Sequence, residues 1–216
     1  MTDQPGYAKI RYAKRKVEDE AIAHAILDQG MVAHVGFIAG DRPMVIPMAY
    51  ARDGDRIYIH GATKTRIVRK TPGLPMCLTV THVDGLVVAR SGFNHSVNYR
   101  SCVVHGTARE VTDDAEFDRA LDLITDQLLP GRSGEVRPMT AQERKATGVL
   151  ALEVEAMTVK VRSGPPVDEP EDQSLDLWSG ILPVSVALGR GVPDGFTPAV
   201  RAEPASLSAA RRKFAG

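Results

Sequence analysis

The sequence is poor in cysteine, has no excess of charge of either sign and contains no long apolar run. Two cysteines among 216 residues, Cys77 and Cys102, are too few for a disulfide framework, so we expect both to be reduced. The 27 basic side chains are balanced by 27 acidic ones, whereas proteins that bind nucleic acid through its phosphates usually carry a basic surplus. No apolar run reaches the roughly 18 residues of a membrane span, and the first residues do not have the pattern of a signal peptide. We therefore expect a cytoplasmic protein that contacts neither nucleic acid nor a membrane.

Several common catalytic signatures are also missing. The sequence has no GxSxG elbow, no P-loop and no GxGxxG motif, which disfavours the usual hydrolase, nucleoside-triphosphatase and Rossmann classes. The six histidines include no HExxH pair and no cysteine spacing typical of zinc ligands. We therefore expect no metal site.

Alternating apolar residues predict a mainly β protein. Strands are expected over residues 32–38, 44–51, 56–60, 76–81, 86–89, 100–110 and 149–161, with helices over 17–29 and 63–70 and a further helix from Asp113 or Asp114. In the last strand the apolar residues change from even to odd positions, which requires an inserted residue and predicts a bulge or bend near Ala156. The pattern favours a mainly β, α+β fold: an antiparallel closed or split β-barrel with peripheral helices.

Proline divides the chain into two parts. Residues 163–204 contain seven of the 14 prolines, which disfavour helices and central strands. Within this segment, residues 175–183 are apolar enough to dock, and they contain the only tryptophan. We expect one domain over residues 1–184, followed by an irregular, poorly ordered tail over 185–216.

The most informative polar stretch is residues 60–66, His-Gly-Ala-Thr-Lys-Thr-Arg. A strand is expected to end at His60, and Gly61 permits a tight turn into a helix. Unpaired amide groups at the start of that helix, two hydroxyls, a lysine and an arginine are together typical of a phosphate site. A solvated basic helix with a threonine cap explains the same residues equally well.

Two other stretches are candidates for ligand contacts. Pro47 interrupts the strand predicted over residues 44–51. This strand is either bulged at Pro47, or is a simple edge strand, which the sequence alone favours, or has a free edge that faces a flat ligand. Residues 91–101 place many directional hydrogen-bonding groups between two strands, including Asn98, Tyr99, Arg100 and Ser101. Such loops on a rigid barrel often bind ligands, although a solvent loop is the simple alternative.

Residues 28–37, 45–50, 57–62 and 84–91 together resemble the pyridoxamine 5'-phosphate oxidase-related flavin-nucleotide-binding proteins. Residues 98–101, 160–166 and 178–183 extend the resemblance, which covers roughly residues 10–185. The sequence is also similar to the nitroimidazole-resistance proteins. The resemblance implies an FMN-binding split β-barrel that forms a homodimer with two FMN sites at the subunit interface.

The resemblance also implies roles for individual residues. Val45, Ile46, Pro47, Met48 and Tyr50 are expected to line the isoalloxazine edge through backbone groups. His60, Gly61, Ala62, Thr63, Lys64 and Thr65 are expected to hold the ribityl chain and phosphate, with Lys64 and Thr65 as direct phosphate partners. Asn98, Tyr99, Arg100 and Ser101 are expected to approach the cofactor from the neighbouring strand, and Trp178 to cover it from the partner chain.

The activity implied is that of an FMN-dependent oxidoreductase acting on a small-molecule substrate. FMN would pass electrons from a reduced nicotinamide to a small acceptor such as a nitro-aromatic, with His60 as the catalytic residue and Arg100 or Lys160 beside the flavin N1–C2=O side. The chain does not contain the arginine-rich clamp for a substrate phosphate or the arginine-containing ending of the oxidase itself, so vitamin B6 oxidation is not expected. The alternatives are a non-catalytic flavin store or sensor, and a haem-binding split barrel with His60 or His95 as iron ligand.

Overall fold

A computed structural model describes residues 5–10, 13–198 and 200–215, and its strands form one antiparallel sheet. The strands are β1 Lys16–Val17, β2 Ala33–Ala39, β3 Arg42–Met48, β4 Tyr50–Asp53, β5 Arg56–Ala62, β6 Pro75–Val88, β7 Ser96–Glu110, β8 Thr147–Arg162 and β9 Gly180–Pro183. The helices are α1 Glu20–Gln29, α2 Arg66–Lys70, α3 Asp114–Leu128, α4 Ala141–Ala146 and α5 Ala205–Lys213. No helix in these described ranges is both long and apolar enough to cross a membrane.

The sheet is a split barrel, as the sequence predicted. Its strand order is β3–β2–β6–β7–β8–β5–β4, with β1 beside β8 and β9 beside β6. The two end strands, β3 and β4, follow each other in the chain with only Ala49 between them, so one segment runs along both edges of an unclosed sheet. The single strand expected over 44–51 is therefore two strands. Pro47 lies in β3, whose only strand partner among the described residues is β2, and the edge-strand interpretation of this proline is correct.

The bulge predicted near Ala156 is present. His105 pairs with Ala156 while Gly106 pairs with Val154, so Glu155 is the inserted residue. Strand β8 pairs with β5 before this point and with β1 after it, and the bend thereby lets one strand serve two sides of the barrel. Gly106 is required here because a Cβ at this position would lie 1.9 Å from the Glu153 carbonyl oxygen.

The sequence predicted a turn between strands over 76–81 and 86–89, and this prediction is wrong. Strand β6 continues through this region with an irregularity between Val83 and Gly85, which pair with Tyr99 and Asn98. The Asp84-Gly85 sequence suggested a turn, but pairing with β7 on both sides of Asp84 keeps the chain extended. A Cβ on Gly85 would lie 2.9 Å from Ile181 Cγ2, so the glycine permits the close approach of β9.

Two apolar clusters form the core. The larger fills the barrel, where α1 contributes Ile26 and Leu27. The smaller lies between the outer face of the sheet and α3, through Phe117 and Ile124. Asp113 caps α3, and a capping box of Thr140 and Glu143 begins α4.

An ion-pair network fastens α3 to the sheet. Glu116 accepts hydrogen bonds from Arg56, from Arg109 and, at 2.7 Å, from the Tyr58 hydroxyl. Both arginines also donate to Glu153 Oε1 at 2.8 Å. The hydrogen bond from Arg109, together with Tyr58 and Arg56, lowers the pKa of Glu116 to about 2.

The segment after residue 184 differs from the irregular tail that the sequence led us to expect. Helix α5 begins after Pro204 and buries Ala210, and Phe214 is also buried. The Ser206 hydroxyl donates to Glu135 Oε2 at 2.6 Å, and the Lys213 ammonium donates to the Gln127 carbonyl. The C-terminal segment therefore packs on the domain next to α3.

Candidate functional site

The turn that follows β5 is shaped by two glycines on adjacent strands. Gly61 pairs with Gly148 of β8, and α2 packs above them with Ile67 and Val68 buried. A Cβ on Gly148 would lie 2.4 Å from Val68 Cγ1. The missing side chain therefore lets α2 lie directly on the sheet and fixes the position of the turn.

Hydrogen bonds close this turn. The Thr63 amide donates to the Ala146 carbonyl at 2.9 Å, and the Thr65 amide donates to the Ala62 carbonyl at 2.8 Å. The Thr65 hydroxyl also donates to the Ala62 carbonyl, at 2.7 Å. A hydroxyl has only one proton, so in this geometry the hydroxyl proton of Thr65, an expected phosphate partner, is not available to a phosphate.

Three cations at the turn have no anionic partner. The side chains of Lys64, Arg66 and Arg69 are exposed and form no ion pair or hydrogen bond with the described part of the chain. The amide groups of Lys64 and Arg66 also donate to no acceptor in those residues. We call these three side chains and the 62–65 turn the basic corner. Its unbalanced positive charge favours binding of an anion.

His60 stands beside the basic corner on the outer face of the sheet. Ile59 points into the barrel core, so the next side chain, His60, points away from it. Although solvent reaches the imidazole, the surrounding residues desolvate it and lower its pKa below the usual value. His60 is therefore neutral near pH 7.

The residues expected at the flavin ring are divided between surface and core. Val45 is 65% exposed and Pro47 is exposed on the free edge of β3, whereas Ile46 and Met48 pack against the core. Tyr50 is fully buried, and its hydroxyl donates to the Leu27 carbonyl. The Tyr50 side chain thus stabilises the fold and does not reach any surface from which it could contact a cofactor.

The residues expected on β7 are held by other parts of the chain. Buried Asn98 donates to the Gly164 carbonyl at 3.1 Å and accepts from Arg162. Arg100 donates hydrogen bonds of 2.9 to 3.2 Å to the Asp84 carboxylate and one of 2.9 Å to Gln29 Oε1. Asn98 thus anchors the chain that follows β8, and Arg100 connects β7 to β6 and to the end of α1, so Arg100 is not a free cation.

The remaining predicted residues are partly accessible but distant from the basic corner. Ser101 pairs directly with Lys160, and Tyr99 lies half-buried two residues earlier. His60 pairs with Val149, eleven residues before Lys160 on the same strand, which corresponds to about 36 Å of extended chain. The two groups therefore lie near opposite ends of β8. Trp178 is 69% exposed ahead of β9, where it can contact another molecule.

A cavity that the sequence did not reveal lies at the end of α1. Its volume is about 660 Å³, and its polar lining includes His34, His82, Asp84, Arg100 and Lys213. Apolar residues from the segment before β2, from β6 and from the C-terminal segment also line it: Val32, Val80, Val83, Val184, Val186 and Phe214. These residues come from distant parts of the sequence, and only folding brings them together.

One group of metal-ligating side chain types also comes together. Potential ligand atoms of Glu20, His24 and Asp55 lie within 4.8 Å of one another. Glu20 and Asp55 are exposed, and the His24 Nε2 lies 3.6 Å from Glu20 Oε1. The His24 Nε2 is buried and has no hydrogen-bond partner among the described residues.

Comparison with known proteins defines the class of protein to which this site belongs. The model of the pyridoxamine 5'-phosphate oxidase family matches residues 19–161, and the chain belongs to this family. The search of curated proteins found no match.

Two solved structures are similar over nearly the whole chain. The flavocytochrome Anf3 from Azotobacter vinelandii is 33% identical, with a TM-score of 0.88 over 95% of this chain and 96% of Anf3. The FAD and heme binding protein from Mycobacterium smegmatis is 32% identical, with a TM-score of 0.85 over 94% of this chain and 98% of that protein. A 5-nitroimidazole antibiotic resistance protein from Bacteroides thetaiotaomicron shares the fold, at 21% identity and a TM-score of 0.58 over 68% of this chain and 86% of that one.

Proposed function

We propose that this protein binds a flavin nucleotide, with the flavin phosphate at the basic corner. The observation that carries the proposal is the set of three exposed cations, Lys64, Arg66 and Arg69, without anionic partners in the described residues. Family membership and the flavocytochrome similarity support the same cofactor class.

The residues of the corner fit a phosphate group. Lys64 and Arg66 would bind it through their side chains and free amide groups, and Arg69 adds positive charge one turn further on. The flavin ring would lie along the free edge of β3 near Val45 and Pro47. The sequence resemblance favours FMN, whereas the Mycobacterium smegmatis protein is described as binding FAD. FMN and FAD share the phosphate on which this assignment depends.

A bound flavin would supply transfer of one or two electrons, and we infer that the chain is an oxidoreductase for a small acceptor. His60 is neutral beside the basic corner and is available to hold or donate a hydrogen bond at the substrate. Oxidation of NADPH in the presence of nitro-aromatic and quinone acceptors tests this part. A fully flavin-loaded protein that oxidises NADPH with none of them would instead be a flavin store or sensor.

We also propose that the working form is a homodimer. The basic corner and the Ser101–Lys160 pair lie at opposite ends of β8, so a shared site needs a second copy that supplies one of the groups. The outer face of the sheet offers exposed apolar side chains for such an interface, among them Ile38, Val45 and Val83. Light scattering during size-exclusion chromatography should give twice the 23.3 kDa chain mass. A monomer that retains flavin would contradict the shared site.

Haem is a second proposed cofactor. Both extensive structural relatives are described with haem or as a flavocytochrome, and the described residues include a cavity of about 660 Å³ with two histidines in its lining. This volume lies within the range of cofactor pockets, roughly 300–1,000 Å³. The Soret band of the purified or hemin-reconstituted protein tests haem binding separately from the flavin absorption band.

The flavin proposal is tested by charge reversal at the corner. The protein as isolated should be yellow, and Lys64→Glu should lose its flavin during dialysis because it replaces an attractive charge with a repulsive one. Lys9→Glu is the matched control, since Lys9 is also exposed but lies outside the corner. Chromatography of the flavin released by heating distinguishes FMN from FAD. A Lys64→Glu variant that retains as much flavin as the control would contradict the phosphate assignment.

A further inference from the structure

The cavity at the end of α1 has both a metal ligand and a charge that suit haem. We propose that this cavity is the haem site and that His34 supplies the iron ligand, an inference that rests on the haem binding proposed above. The argument depends on the free imidazole of His34, on the charge of the cavity and on its position beside β3.

His34 is the cavity histidine whose ring is available. It is exposed on β2 and forms no hydrogen bond or ion pair with the part of the chain that the structure describes. The other cavity histidine, His82, has its Nε2 at 3.0 Å from the Ile26 carbonyl oxygen, which leaves only Nδ1, the ring nitrogen crowded by its own Cβ, for an iron. A neutral imidazole with a free nitrogen is the commonest protein ligand for a transition metal.

The charge of the cavity suits the anionic edge of a porphyrin. Its lining contains the cations Arg100 and Lys213 and one carboxylate, Asp84, which leaves one positive charge in excess. Haem carries two propionates, and ferric haem has one net negative charge. Burial lowers the pKa of Lys213, so a propionate beside this lysine would favour its charged form.

The position of His34 links the cavity to the proposed flavin site. His34 pairs directly with Pro47 across β2 and β3, and Pro47 lies in the strand along which the flavin ring is proposed to lie. Residues directly opposite each other on antiparallel strands have Cα atoms about 5 Å apart. An iron ligand at His34 would therefore place the two redox groups on neighbouring strands.

The C-terminal segment is part of this proposed site. Val184, Val186 and Phe214 line the cavity with Lys213. Lys213 is also anchored to the Gln127 carbonyl and Phe214 is buried, so this wall is fixed in the fold. The segment that follows residue 184 thus acquires a role: it encloses a cofactor.

The test is a hemin titration of the full-length protein, with the Soret band and the flavin band measured separately. Partners that only orient a metal ligand typically account for tenfold to 100-fold in affinity, so loss of the ligand in His34→Ala should weaken hemin binding by more than about tenfold. Added imidazole should restore the Soret spectrum, and flavin retention should be unchanged. His95→Ala is the matched control, because His95 is an exposed histidine outside the cavity.

A second variant tests the cavity without touching the proposed ligand. Val186→Trp places a large side chain in the lining and should lower hemin occupancy while leaving flavin bound. Wild-type hemin affinity in His34→Ala, or loss of the Soret band in His95→Ala or His60→Ala instead, would overturn the inference. A protein that retains flavin but binds no hemin would overturn it and leave the flavin proposal intact. A protein that binds hemin at His34 but retains no flavin would support the inference and contradict the flavin proposal.

Discussion

The network around Glu116 allows a prediction whose size and pH dependence both follow from the structure. Glu116 binds Arg56 and Arg109, and its pKa is lowered from 4.5 to about 2. Taken alone, such a shift corresponds to about 3 kcal/mol of stabilisation. The two arginine side chains are 37% and 38% exposed, so solvent screening reduces the expected contribution to about 1 kcal/mol.

Glu116→Gln should therefore lower the free energy of unfolding by about 1 kcal/mol at pH 7. Because the folded-state pKa is depressed, this stabilisation is complete above about pH 4.5 and is lost as the pH falls towards 2. Urea unfolding of both proteins at pH 7, 4.5 and 3 measures the difference. Glu110→Gln, an exposed change outside the network, should have no effect. A difference between wild type and Glu116→Gln that stays constant or grows on acidification would refute the reasoning.

Two further variants separate structural roles from cofactor binding. Tyr50→Phe should cost about 1 kcal/mol of stability, because the Leu27 carbonyl still accepts from Gln127 and Gly30, and it should leave flavin retention unchanged. Urea unfolding measures the stability and dialysis measures the flavin retention. Loss of flavin without loss of stability would contradict the structural role of Tyr50. Gly148→Ala should push Val68 off the sheet, destabilise the protein by about 1–3 kcal/mol and weaken flavin binding, while Gly134→Ala, with open space around it, should do neither. Unchanged melting and flavin affinity in Gly148→Ala would show that α2 does not depend on this contact.

Local patterns in the sequence predicted much of the fold. The change of apolar phase at Ala156 located a bulge, because the two-residue period of a strand cannot change without an extra residue. Pro47 correctly indicated an edge strand. The capping residues Asp113 and Thr140 were also recognisable, since each acts on a helix that begins at the next residue.

Features that depend on contacts between distant residues were not predictable in this way. Asp84-Gly85 has the sequence of a turn, and only pairing with β7 and β9 keeps it extended. Arg100 was expected beside the flavin, although the Asp84 carboxylate holds it across two strands. Tyr50 belongs to the same alternating apolar and polar pattern as its neighbours in the sequence. Only the packing of α1 against it shows that its hydroxyl is buried.

The basic corner and the cavity at the end of α1 also differ in how far the sequence alone could predict them. The basic corner is continuous in sequence from Lys64 to Arg69, so its charge could be recognised before its geometry was known. The cavity combines the end of α1, the middle of β6 and the last residues described, and no local pattern connects them. Helix α5 had a usable signal, since Pro204 precedes a run of good helix formers over 205–213, but the prolines before it dominated the interpretation.

The central claim, that the basic corner binds the flavin phosphate, is tested most directly by comparing FMN with riboflavin, which differ only in that phosphate. Fluorescence titration of the flavin-free protein should give an FMN affinity higher than that for riboflavin by roughly tenfold to 100-fold, as expected for charge-assisted hydrogen bonds of about 1.5–3 kcal/mol. In Lys64→Glu this preference should largely disappear while riboflavin affinity stays the same. Equal preference for FMN in the wild type and in Lys64→Glu would place the phosphate elsewhere and contradict the account.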